Sequence, residues 1–103
     1  MKIGEVNFKG EVLDIEKACY GEGNVAIRIG NEYEPYAILS VNIVDLELEP
    51  NEFAVKNYSE NEEIYNFIKE TGIFEDTGKT AQTGFVTVPI WELKEELKWK
   101  LIK

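Results

Sequence analysis

The clearest hydrophobic periodicity in the chain lies in residues 56–74. Ile64, Phe67 and Ile68 occupy the i, i+3 and i+4 positions that place apolar side chains on one face of a helix. The polar residues between them fall on the opposite face. The pattern therefore predicts an amphipathic helix from Ser59 to Thr71.

Both ends of this helix carry recognisable signals. Ser59 and Glu62 have the spacing of a capping box, in which two side chains satisfy free amides at a helix start. Glu60 and Glu63 add negative charge at the positive end of the helix dipole. Gly72 suits the left-handed residue that ends many helices. We therefore expect one helix, and not a strand, in this part of the chain.

Residues before the helix follow strand patterns. Residues 36–44 are the most hydrophobic run, and this predicts a central strand that starts after Pro35. Residues 45–49 alternate between carboxylates and leucines, which would turn the leucines toward a core and the carboxylates toward water. The other predicted strands are residues 2–8, 11–20, 25–29 and 53–56.

Beyond the helix, the polar composition of residues 75–84 predicts a loop, and residues 85–90 predict a last strand. Pro89 near the end of that strand indicates an edge position, because proline cannot donate to a neighbouring strand. The tail, residues 91–103, is predicted as a helix from Glu92 on. A strand is the alternative for the tail, since residues 98–101 also alternate.

Together these elements predict one α+β domain over residues 1–103, mainly an antiparallel sheet covered by one central helix. A chain of 103 residues can build one modest core, and 44% hydrophobic residues is ordinary for a globular protein. No apolar run approaches the length of a membrane span. The N-terminus lacks the apolar region of a signal peptide, and a single cysteine fits a reducing compartment. We expect a cytoplasmic protein that does not bind membranes.

The charge of the chain says more about its possible partners than any motif does. Twenty acidic residues against eleven basic ones give a net charge of −9, and residues 32–63 alone hold nine acids and one base. Such a segment repels nucleic acid, which is itself a polyanion. It attracts a basic protein surface and speeds the encounter with it. The alternative interpretation is that the acids only keep a small domain in solution.

Several patterns resemble sites of chemistry but lack a required part. Residues 78–80 end like a phosphate-binding loop, but the glycine spacing is wrong. Residues 21–26 fit a loose dinucleotide fingerprint, but no helix follows them. Residues 45–56 lack the glycine and the final glutamate of a calcium loop. The chain has no histidine, and we expect Cys19 to be a small buried hydrophobe. We therefore expect no catalytic residue, cofactor or metal, although an enzyme that uses paired carboxylates stays open.

Short motifs across residues 10–90 resemble a domain-of-unknown-function family carried by phages, plasmids and other mobile elements. The motifs lie at residues 23–27, 40–42, 56–61, 76–78 and 83–86, most of them in turns or at the helix start. Some small acidic proteins of this kind act as anti-CRISPR proteins against the Cas9 nuclease. The resemblance brings no catalytic residue with it.

The resemblance and the acidic segment together predict a monomeric, non-enzymatic inhibitor that binds Cas9 or its guide RNA complex without contacting nucleic acid directly. Cas9 holds nucleic acid in positively charged channels, which carboxylates could occupy in place of phosphates. An alternative is an acidic protein-interaction module of a mobile element that acts on another host defence or repair protein. The candidate protein-binding residues are Asp45, Glu47, Glu49, Glu52, Glu60, Glu62 and Glu63.

Overall fold

Two four-stranded antiparallel sheets and one helix make up the described part of the chain in a computed structural model. The structure describes residues 1–21, 24–31, 35–43 and 46–94. The first sheet has the order β1-β2-β3-β4, formed by Lys2–Phe8, Glu11–Cys19, Val25–Gly30 and Pro35–Ile38. The second has the order β5-β6-β8-β7, in which β5 is Ser40–Val41, β6 is Glu52–Val55, β7 is Phe74–Thr83 and β8 is Val86–Leu93.

The first three strands confirm the predictions made from alternation. Strands β1 and β2 are joined by a tight turn at Lys9 and Gly10, whose φ angles are 53° and 82°. Alternate side chains of these strands, such as Leu13, Ile15 and Ile27, are fully buried. Their neighbours face outward, as the two-residue period of a strand requires. This face of the first sheet forms one side of the main core.

The main core also draws on the second sheet and the helix. Phe53 and Val55 of β6, together with Trp91 and Leu93 of β8, join the same buried cluster. A smaller cluster, which includes Ala54 of β6, covers the opposite face of the second sheet. Because it is buried on both faces, β6 reads in the sequence as a continuous apolar run after its first residue.

The prediction of one central strand over residues 36–44 is wrong. This run is divided between β4, at the edge of the first sheet, and β5, at the edge of the second. Between them lies Leu39, which is fully buried. Its amide donates to the Ile27 carbonyl oxygen (2.8 Å), and its carbonyl oxygen accepts from the Lys56 amide (2.7 Å). The run is hydrophobic because the chain crosses between two sheets at this point.

The prediction of a loop at residues 75–84 is also wrong, since these residues form most of β7. They are polar because β7 is an edge strand with mostly exposed side chains. The edge position predicted for Pro89 holds only locally: β8 lies between β6 and β7 in the sheet, but β6 pairs with β8 only from Ile90 to Glu92, so β7 is the one strand paired with Pro89 in the described structure. The register of β7 against β8 shifts between Asp76 and Thr80, directly beside Pro89. There the Thr77 hydroxyl donates to the Ile90 carbonyl oxygen (2.8 Å), so a side chain replaces a backbone bond.

The central helix, α1, spans Glu62–Thr71 and follows a 3-10 turn at Ser59–Asn61. The predicted capping box does not form, because Ser59 has a φ of 58° and no side chain caps the first turn. Instead the Asn61 side-chain amide donates to the Ile38 carbonyl oxygen (2.7 Å), which fastens the helix start to β4. The predicted ending is confirmed, since Gly72 is left-handed with a φ of 72°.

Helix α1 packs against both sheets. Ile64 and Ile68 are buried in the main core, as the periodicity predicts. Phe67 contacts Phe8 of β1, with ring centroids 4.9 Å apart. On the other side, Tyr65 stacks on Trp91 of β8 at 5.3 Å. The helix thus holds the two sheets together. Burial of each isoleucine contributes about 2 kcal/mol.

The predicted C-terminal helix is not shown. Its first residues, Glu92 and Leu93, belong to strand β8. Residues 95–103 lie outside the described part of the chain.

Candidate protein-binding surface

The loop before β6 presents two exposed carboxylates, those of Glu47 and Glu49, which we call the loop pair. The predicted alternation of inward leucines and outward glutamates is confirmed in this loop, although no strand forms there. Leu46 and Leu48 pack on a small cluster of Ala54, Val88 and Ile90, and the intervening glutamates turn outward. No described residue forms an ion pair with either carboxylate of the loop pair. Asp45, the next candidate, lies outside the described residues.

Glu52 occupies a different environment from the other candidates. It is only 4% exposed. Its carboxylate accepts hydrogen bonds from the Glu49 amide (2.9 Å) and from the Lys79 ammonium (2.8 Å). Burial by itself raises the pKa of Glu52, but these two bonds together lower it by more, so the net pKa lies below its ordinary value. Glu52 therefore holds the loop in place and is not part of an exposed acidic surface.

The start of α1 carries Glu60, Glu62 and Glu63, which we call the helix-start trio. All three are exposed and line one shallow depression together with neighbouring polar residues. Lys56 pairs with Glu60, and Lys9 pairs with Glu63. Hydrogen bonds, first from Lys56 and then from Ser59, lower the pKa of Glu60 to about 2.

These ion pairs reduce how strongly the helix-start trio can attract a cationic surface. Two of its three carboxylates already face a lysine, so the local field is weaker than the sequence indicates. In the described part of the chain only Glu62 of the trio has no ion pair. Lys56 lies four residues before Glu60, a spacing that local sequence can reveal. Lys9 is remote in sequence and reaches Glu63 only through the packing of Phe67 on Phe8.

The structure places Glu49 of the loop pair apart from Glu63 of the helix-start trio. Glu49 lies beside Asn24 and Val25, at the end of β2 where the chain turns toward β3. Glu63 pairs with Lys9, in the turn at the opposite end of β2. The nine residues of β2 span roughly 25 Å at the usual rise of a strand. The candidate residues thus form two separate groups and one buried structural carboxylate.

Other sites of chemistry receive little support from the described residues. These residues contain no cluster of three acidic, cysteine or histidine side chains that could hold a metal ion. Cys19 is exposed at the end of β2, so the prediction that it is buried is wrong. It is the last residue of β2 and pairs with Val25. A free, exposed thiol by itself offers no basis for assigning nucleophilic chemistry.

Comparison of the chain with protein-family models, with curated proteins and with solved structures finds no match. Among the described residues, no helix is both long enough and apolar enough to cross a membrane. The two acidic groups and their different pairing are therefore the main physical basis for assigning a function.

Proposed function

We propose that the protein is a non-enzymatic inhibitor that binds the Cas9 nuclease, alone or with its guide RNA, in the cytoplasm of a bacterial host. The observation that carries the proposal is the exposure of Glu47 and Glu49 without an ion-pair partner among the described residues. The resemblance to a family of mobile elements supports the choice of Cas9. The proposal assigns no catalytic residue and no cofactor.

Electrostatics explains why an unpaired carboxylate matters more here than a paired one. A glutamate beside a lysine presents almost no net field at a distance, whereas an unpaired one attracts a cationic surface. Cas9 carries such surfaces in the channels that hold nucleic acid. Carboxylates placed there would compete with phosphates for the same basic side chains. The net charge of −9 adds a long-range attraction that salt weakens.

The test is a DNA-cleavage assay with purified Cas9 and guide RNA, with the protein added either before or after DNA. Two double variants have the same effect on net charge. Glu47→Gln with Glu49→Gln removes the loop pair, which has no ion pair among the described residues, and Glu60→Gln with Glu63→Gln removes the two carboxylates that already face lysines.

We expect the loop variant to need roughly ten times more protein for half-inhibition, because each exposed charge contributes up to about 1 kcal/mol. The matched variant leaves Lys9 and Lys56 uncompensated, and it should lose less inhibition than the loop variant because the proposed contact is at the loop pair. Equal losses in both variants would contradict the role of the loop pair. Absence of inhibition by the wild type at any order of addition would refute the assignment to Cas9.

A further inference from the structure

A cleft lies between the loop before β6 and the start of β3. Asn24 and Val25 form one of its walls, and residues 48–52, which include Glu49 of the loop pair, form the other. Its volume is about 300 Å³, at the lower end of the range of ligand pockets. A space of this size suits one side chain of a partner better than a cofactor. We call it the Glu49 cleft.

The loop wall of the cleft is a turn closed by two hydrogen bonds. The Glu52 amide donates to the Glu49 carbonyl oxygen (3.0 Å), and the Glu49 amide donates to the Glu52 carboxylate (2.9 Å). Between them, Pro50 and the left-handed Asn51, whose φ is 69°, have the residue types and the positive φ of a type II turn. The Lys17 ammonium donates to the Asn51 side-chain oxygen (3.0 Å) and ties the turn to β2. The position of Glu49 is therefore fixed before a partner arrives.

The opposite wall is also held by hydrogen bonds. The Asn24 carbonyl oxygen accepts from the Tyr20 amide (2.8 Å), and the Asn24 side-chain amide donates to the Asn42 side-chain oxygen (3.3 Å). Val25 is only 8% exposed and pairs with Cys19 across β2 and β3. Since both walls are in place in the free protein, binding here does not require ordering of the site, which would lower the affinity.

The two carboxylates that line the cleft differ in their pairing. Glu52 is buried and forms an ion pair with Lys79 (2.8 Å). Glu49 is exposed at the mouth of the cleft, and no described residue forms an ion pair with it. Leu48 and Pro50 add apolar surface next to this carboxylate. The cleft therefore combines one uncompensated negative charge with apolar walls.

Among cations, an arginine side chain fits this combination best. A metal ion needs several oxygen ligands, and in the described structure only one carboxylate of the cleft is uncompensated. A lysine ammonium is a strongly hydrated point charge that gains little from apolar walls. The guanidinium group is more weakly hydrated. Its planar faces and methylene stem pack on apolar side chains while its donors meet a carboxylate.

We infer that the Glu49 cleft receives an arginine side chain of the protein partner. The guanidinium group bonds to the Glu49 carboxylate at the mouth, and the methylene stem lies against Val25 and Leu48. The inference rests on the proposed function, since it states how the loop pair recognises the basic surface of that partner. A second copy of the chain is a poor source of this side chain, because its single arginine, Arg28, already pairs with Glu16 (3.2 Å).

The first experiment compares the affinity of the purified Cas9–guide complex for the wild type, Glu49→Gln and Glu47→Gln. Both variants remove one exposed carboxylate from the same loop, but Glu47 is not among the described residues that line the cleft. We expect Glu49→Gln to weaken binding about fivefold and Glu47→Gln by about twofold at most, which together give the tenfold effect of the double variant. Since both side chains are exposed, both variants should unfold at nearly the wild-type temperature.

A second measurement uses the protein without Cas9. N-acetyl-arginine amide is the probe, N-acetyl-citrulline amide is the neutral control of the same shape, and NMR titration follows the backbone amides. We expect the arginine probe to shift the amides of Val25 and Glu49, and the citrulline control to leave them in place. The shifts should be lost in Glu49→Gln. N-acetyl-lysine amide should need a higher concentration than the arginine probe for the same shifts.

The outcomes separate the cleft from the proposed function. Equal losses in the two single variants, or shifts that the citrulline control reproduces, overturn the cleft and leave the proposed function standing. Equal binding of the lysine and arginine probes overturns the choice of arginine, and self-association that Glu49→Gln abolishes would replace the partner by a second copy. If the wild type does not bind the Cas9–guide complex, the proposed function fails, whereas the probe titration still decides whether the cleft binds arginine.

Discussion

The ion pair between the buried Glu52 and the half-exposed Lys79 holds the loop pair in place, and its removal is a sharp test of the structure. Glu52 begins β6, and its carboxylate holds both the Glu49 amide (2.9 Å) and the Lys79 ammonium (2.8 Å). The side chain thereby joins the acidic loop to the irregular part of β7. The substitution Glu52→Gln keeps the size and one acceptor oxygen, so it removes the ion pair alone.

The expected cost follows from the geometry. A hydrogen bond to a charged group contributes about 1.5–3 kcal/mol net. Lys79 is half exposed, so water weakens its share of the bond. We therefore expect Glu52→Gln to lower the free energy of unfolding by about 1–2 kcal/mol at pH 7. The Glu49 amide should keep its acceptor and add nothing to the loss.

The pH dependence has a definite sign. Burial raises the folded-state pKa of Glu52, but the Lys79 and Glu49 bonds outweigh it, so this pKa lies below its ordinary value of 4.5. A lowered folded-state pKa gives stability that is fully present above the unfolded pKa and is lost as the pH falls through the folded pKa. The difference between wild type and Glu52→Gln should therefore shrink below about pH 4.5.

Urea denaturation followed by tryptophan fluorescence measures this difference, since Trp91 is buried in the main core. The matched control is Glu75→Gln, which removes an exposed carboxylate of β7 opposite Glu92. This substitution should leave the free energy of unfolding unchanged or raise it slightly, because it removes one of two like charges that face each other across the strands. Two results would refute the role given to Glu52. One is equal stability of Glu52→Gln and Glu75→Gln at pH 7, and the other is a difference between wild type and Glu52→Gln that widens in acid.

Two further predictions concern α1. Gly72→Ala should lower the free energy of unfolding by about 1 kcal/mol in thermal unfolding, because alanine is strained at a φ of 72°. Gly4→Ala is the control and should have little effect, because no atom lies within 4 Å of the Cβ that alanine would add there. Lys56→Met should raise the pKa of Glu60 from about 2 toward 4.5, measured by NMR titration; an unchanged pKa would show that Lys56 does not hold this carboxylate.

Local patterns were sufficient for the elements whose structure depends on nearby residues. The first three strands follow from alternation interrupted by tight turns, and β1 has the predicted bounds. The ending of α1 at Gly72 follows from the backbone freedom of glycine. The alternation around Leu46 and Leu48 predicted the correct burial without a strand, because burial depends only on which side chains face the sheet.

Tertiary pairing explains the elements that local patterns could not predict. Nothing near Leu39 indicates that the chain changes sheets there, since the residue is apolar like its neighbours. The polar composition of β7 is equally compatible with a loop, and only its pairing with β8 makes it a strand. Pro89 is tolerated in β8 because β6 pairs with this strand only from Ile90 onward, which Pro89 alone does not reveal.

The candidate surface also combines features that local sequence predicts with features that depend on the tertiary structure. Exposure of most of the acidic residues follows from composition, but the burial of Glu52 depends on Lys79, which is 27 positions away. The contact between Lys9 and Glu63 likewise requires the packing of the helix on β1.

The exposure of the loop pair predicts an effect on the kinetics of binding that can be measured directly. Exposed charges at an interface act mainly on the rate of association. Glu47→Gln with Glu49→Gln should therefore slow association with Cas9 and reduce its salt dependence, and should leave the dissociation rate nearly unchanged.

The paired carboxylates provide the control for this prediction. Glu63 lies at the opposite end of β2 from Glu49, and both Glu60 and Glu63 already face lysines. Their double substitution by glutamine should slow association less than the loop variant does, because surface charges beyond the screening length of about 8 Å at about 0.15 M salt act weakly on one contact site. If this paired group slows association as much as the loop pair does, attraction comes from the net charge of the whole molecule, and the position of the loop pair has no role in binding.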